Sequence, residues 1–63
     1  MSITPEMAED AVMRIMRSAN KPLKRRDIAD LVLLSQADLD RALRSLRLGG
    51  WIKHENRFWK LAN

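Results

Sequence analysis

The chain has no cysteine and no tyrosine, one histidine, two glycines and two prolines in 63 residues. Without cysteine there is no disulfide framework and no thiolate metal site. A chain this short must then stabilise itself through a single apolar core. The lone histidine, His54, has no second imidazole or thiolate with which to complete a metal site, so no metal or other cofactor is expected. There is no glycine-rich phosphate loop, and the Ser, His and Asp residues show no nucleophile signature. The inventory therefore argues against an enzyme. The longest uninterrupted apolar run is Leu31 to Leu34, too short for a bilayer span or a signal-peptide core, so a cytoplasmic location is expected.

What remains is 46% hydrophobic and 32% charged residues, the balance of a folded domain rather than a disordered one. One domain over 1–63 is expected. Net charge is +4, and it is blocked rather than spread. Residues 1–13 carry Glu6, Glu9 and Asp10 and no base, whereas residues 14–26 carry six bases and no acid. Residues 27–40 carry four acids and no base, and residues 41–63 carry six bases against Glu55 alone. Such blocks become faces of a folded domain, and a basic face attracts polyanions, chiefly nucleic acid.

The periodicity predicts three helices and a hairpin. The first spans about 5–18: Thr4 caps it, Pro5 suits the first turn, and Ala8, Ala11, Val12, Ile15 and Ala19 make an apolar stripe widened by Met7, Met13 and Met16. The second spans about 25–33, with Ile28, Leu31 and Val32 as its buried face and no good cap at Lys24. The third spans about 36–48 behind an approximate capping box, Ser35 to Asp38. Leu39, Ala42, Leu43 and Leu46 face inward, and Gly49-Gly50 ends the helix. Beyond the glycines the period becomes two. A hairpin over about 51–61 is expected, with Glu55-Asn56-Arg57 as its turn and Ile52, Trp59 and Leu61 facing the core.

Three helices followed by a two-stranded hairpin resemble the winged helix-turn-helix superfamily. Ile28-Ala29-Asp30-Leu31-Val32-Leu33-Leu34-Ser35 is similar to its helix-turn-helix junction. Leu46-Arg47-Leu48-Gly49-Gly50-Trp51-Ile52 is similar to its passage from third helix to wing, and Phe58-Trp59-Lys60-Leu61 to its return strand. The likeness departs at Leu33, where the family often has glycine. Leucine is costly in left-handed backbone, so a longer or differently shaped turn is expected. A distant resemblance to the Z-alpha domains, which bind left-handed nucleic acid, rests on the leucine pattern and on Trp59. It lacks their asparagine and tyrosine, which are replaced by Asp40 and Arg44, and their wing prolines.

The resemblance implies a sequence-reading, double-stranded DNA-binding protein, a transcriptional regulator or accessory factor, with the third helix in the major groove. The candidate contacts are Gln36, Asp40, Arg41 and Arg44 on that helix, Lys53, Asn56 and Arg57 on the wing, and Lys24, Arg25 and Arg26 as a phosphate clamp. The bland alternative for the third helix is a solvated surface with local Asp40–Arg44 and Asp38–Arg41 pairs. The alternative function is a protein–protein adaptor or homodimer. It would use Leu48, Trp51 and the methionine-rich first helix.

Overall fold

Helix α1, Pro5–Ala19, begins where Thr4 Oγ1 accepts a hydrogen bond from the Met7 amide at 3.2 Å. Such a cap is worth about 1 kcal/mol. The helix ends one residue later than the spacing suggests. Asn20 takes left-handed backbone, φ 52°, and donates its amide to the Met16 carbonyl. The computed structural model describes residues 4–62. No helix among the described residues is long and apolar enough to cross a membrane.

Helix α2, Arg25–Leu31, stops two residues before its expected end. Val32 is already extended, at φ −117° and ψ 139°. The chain bends away, so Ile28 and Val32 are buried while Leu31 and Leu33 point out, 58% and 96% exposed. Leu31 was expected in the core and is not there. The anticipated cost at Leu33 also does not arise. Its φ is not positive, because the link from Val32 to Ser35 is extended rather than a tight left-handed turn. The start of α2 is better held than the Lys24 cap position suggests. Asp27 Oδ2 accepts the Lys24 amide at 3.2 Å, which supplies the half of a capping box that a lysine side chain, having no acceptor, cannot.

Helix α3, Gln36–Leu48, begins at Ser35, whose Oγ accepts the Asp38 amide at 3.1 Å. It ends in a Schellman motif. The Gly50 amide bonds to the Arg47 carbonyl at 3.1 Å and the Trp51 amide to the Leu46 carbonyl at 2.9 Å. Gly50 carries the positive φ, 81°, that this motif requires. Strands β1, Ile52–Glu55, and β2, Phe58–Leu61, pair antiparallel, so the hairpin starts at Ile52 and Trp51 lies outside it. The turn is two residues long, Asn56-Arg57, both with positive φ, and Glu55 is still paired, opposite Phe58.

The core collects Ala8, Val12 and Met16 from α1, Ile28 from α2, Leu39, Ala42, Leu43 and Leu46 from α3, and Ile52 and Trp59 from the hairpin. No polar or charged residue is buried in it. A third extended piece completes the wing. Leu23 and Trp59 exchange backbone hydrogen bonds of 2.8 and 2.6 Å, which sews the α1–α2 link to β2. The result is the winged helix layout: three helices with a small antiparallel sheet against them.

Candidate nucleic-acid interface

On α3 the residues Gln36, Asp40, Arg44 and Arg47 recur every three or four positions and so share one exposed face. On the hairpin the pleat sends Ile52, His54, Trp59 and Leu61 to the side that meets the helices. Lys53, Glu55, Phe58 and Lys60 point the other way. Where the α3 face meets the inner wing face, an open groove of about 340 Å³ forms, lined by Arg25, Asp40, Leu43, Arg44, Arg47, His54 and Trp59. Its floor is the apolar pair Leu43 and Trp59. Three guanidinium groups and one carboxylate border it, so the groove is basic.

Two contacts order this surface. Arg25 reaches from α2 to Asp40 on α3, with Nη2 at 2.6 Å and Nε at 2.8 Å from the same oxygen, Oδ1. The local pairs Asp40–Arg44 and Asp38–Arg41 are absent, and Asp40 is engaged across the groove instead. His54 lies directly opposite Trp59 in the ladder, and their rings stack with centroids 4.1 Å apart and planes 10° from parallel. This cross-strand stack holds the imidazole at the groove wall and covers the indole.

The remaining expected contacts are not gathered there. Arg41 turns to a small cleft with Thr4, Pro5 and Asp38, beside the start of α1. Lys24 lies over the Phe58 ring, 5.7 Å from its centroid, on the outer side of the hairpin. Lys53 is on that outer side too, opposite Lys60. Glu55 bridges to Lys60 at 3.0 Å. That hydrogen bond and the Lys60 charge, with a smaller effect of Lys53, hold the Glu55 carboxyl below the usual carboxylate range against slight desolvation. Asn56 and Arg57 stand exposed at the hairpin tip, Gln36 is exposed at the start of α3, and Arg26 is exposed on α2. Leu48 and Trp51 are exposed by 73% and 61%, away from the groove lining.

Sequence reasoning missed Arg47 as a groove residue, and it weighed His54 on the wing as a polar strand residue more than as a contact. The signal for Arg47 was present, since it follows Arg44 by three and Asp40 by seven. For His54 the signal was its alternation with Ile52, which sends both to the inner face. Comparison of the chain with protein-family models, with curated proteins and with solved structures finds no match.

Proposed function

We propose that this chain is a winged-helix module that binds double-stranded DNA, with α3 entering the major groove and the hairpin lying along the backbone. The supporting observation is the convergence of Arg44, Arg47 and His54, from two different elements, on one open basic groove. Arginine pairs bidentately with guanine edges or with phosphate, and a helix of this width fits the major groove. The hairpin tip, where Asn56 and Arg57 are exposed, offers a separate contact to the backbone. The resemblance to winged helix-turn-helix proteins agrees with this use, and a role as a transcription regulator or its accessory factor is part of the proposal. It acts without chemistry: phosphate contacts position it and α3 reads bases.

Affinity for a random duplex, followed by fluorescence anisotropy across a salt series, tests the proposal. Neutralising about four to six phosphates gives a log–log slope of about −3.5 to −5.5, at about −0.9 per phosphate. A flat salt response removes the electrostatic mechanism. Competition by double-stranded RNA at equal strength transfers the reading to RNA, whose deep major groove excludes a reading helix.

A further inference from the structure

We propose that the surface around Trp51 docks a basic, apolar-anchored segment of a partner protein, and that it is not a self-pairing face. The inference does not rest on DNA binding, since no residue of this surface lines the Arg44–His54 groove.

Trp51 is well exposed, while its backbone is held at both ends. Its amide bonds to Leu46 and its carbonyl accepts the Ala62 amide at 3.1 Å. Its ring lies on Gly49, where a Cβ would stand 3.0 Å from Trp51 Cδ1 and 3.2 Å from Nε1. Gly49 itself is at φ −79° and ψ −6°, a conformation open to any residue. The turn does not need glycine at this position. The missing side chain is what leaves room for the indole edge beside the end of α3. An exposed indole is the anchor type enriched at protein interfaces, because a large side chain with only two rotatable bonds loses little entropy on binding.

Concave surfaces flank this ring on both sides. One groove, of about 300 Å³, has Met13, Leu46 and Trp51 as its apolar part and Glu6, Glu9, Asp10 and Arg17 as its rim. The other, of about 270 Å³, adds Gly49, Gly50, Leu61 and Ala62 to Met13, Arg17 and Trp51. The ion pairs among the described residues are Arg25–Asp40 and Lys60–Glu55, and neither involves the three rim acids.

Charge selects the occupant. A second copy seated by a twofold axis brings six rim carboxylates together against two Arg17 guanidiniums. That surplus of like charge opposes homodimerisation through Trp51. A segment with Lys or Arg beside a large apolar side chain satisfies the acids and fills the groove together.

The test uses a fluorescein-labelled synthetic helical peptide of Lys and Leu, and a matched peptide with Glu in place of Lys. Binding is read by anisotropy against the wild type, Trp51→Ala, Gly49→Ala and the double variant Glu6→Lys/Asp10→Lys. The Lys peptide is expected to bind the wild type and to lose about tenfold or more in each variant. Gly49→Ala displaces only an exposed ring, so its thermal melt stays near wild type and its loss of binding cannot be assigned to unfolding. Three results overturn the proposal: equal binding of the Glu peptide, variants that bind like the wild type, or a dimer in sedimentation equilibrium that Trp51→Ala dissolves.

Discussion

Arg25 and Asp40, fifteen residues apart in the chain, meet through a single carboxylate oxygen at 2.6 and 2.8 Å. The pair joins α2 to the exposed face of α3 that carries Gln36 and Arg47. Both side chains are substantially exposed, so it contributes about 1 kcal/mol of stability at most. Its larger consequence is electrostatic. Asp40 holds the Arg25 guanidinium, and it places a negative charge on the face proposed to approach DNA.

Asp40→Ala therefore releases Arg25 and removes a repulsion. Affinity for a random duplex is expected to rise, and the salt slope to steepen by about 0.9, one phosphate more. Folding stability changes little. Anisotropy titrations at several salt concentrations check this, and an unchanged slope would show that Arg25 does not reach the backbone.

Arg47 on α3 and Lys53 on β1 distinguish the groove side of the hairpin from its outer side. Arg47 borders the groove and Lys53 points away from it. Arg47→Ala is expected to reduce the salt slope by about 1 and to weaken binding to every duplex tested. Lys53→Ala is expected to leave both unchanged. If Lys53→Ala is the more damaging change, the DNA lies along the outer hairpin face with Lys24 and Phe58.

Much of the fold was legible because its signals are local. Leu39, Leu43 and Leu46 carry the helical period, Ser35 caps α3, and the Gly49-Gly50 pair ends it. The end of α2 was not legible, because it falls inside Leu31–Leu34, an unbroken apolar run in which helix and extended chain look alike. The site was legible in part. Arg44 and Asp40 were read from the outer face of α3. The Arg25–Asp40 bond was hidden because it spans elements, and local charge spacing suggested Asp40–Arg44 in its place. Lys53 and His54 exchanged importance through the pleat. Alternation with the inward Ile52 already put His54 on the inner face and Lys53 on the outer one, but that the inner face borders the α3 groove depends on how the hairpin packs.

Trp59 joins three parts of the structure. Its ring closes the core beside Ile52, its backbone pairs with Leu23, and His54 stacks on it. Truncating a buried aromatic costs about 3–5 kcal/mol. A domain of this size holds about 3–5 kcal/mol in total. Trp59→Ala is expected to be largely unfolded at room temperature by circular dichroism, whereas Trp51→Ala melts cooperatively near wild type. The reverse result would mean that the hairpin register is inverted.

Glu55 gives the hairpin a small pH dependence. Its folded-state carboxyl is depressed below the ordinary glutamate value by the Lys60 hydrogen bond and charge. A depressed folded value means that the contribution is fully present above the ordinary value. It is lost as pH falls through the folded one. The pair is solvent-exposed, so the effect is small. Glu55→Gln is expected to melt slightly below wild type at neutral pH, with the two curves converging in strong acid. A difference that grows on acidification would contradict the Glu55–Lys60 assignment.

Arg57 sits in left-handed backbone at φ 70°, next to Asn56 at 50°, in a two-residue turn. Positive φ at both positions is what a type I′ hairpin demands, and Asn-Gly is its preferred sequence. Asn56 accepts this conformation readily. Arg57 does not, since left-handed backbone costs a residue with a Cβ about 1–2 kcal/mol. An arginine at the exposed tip of a wing therefore works against the stability of the turn. The proposed function accounts for it as a charge carried to the DNA backbone. Arg57→Gly is expected to raise the melting temperature, with a gain of up to about 1 kcal/mol, because glycine's greater freedom in the unfolded chain offsets part of the relieved strain. The same change is expected to lower duplex affinity and flatten the salt slope by about 1. Thermal melts and anisotropy on the one variant separate the two effects. If stability rises while DNA affinity is untouched, the hairpin tip does not contact DNA, and the interface is confined to α3 and the His54 wall of the groove.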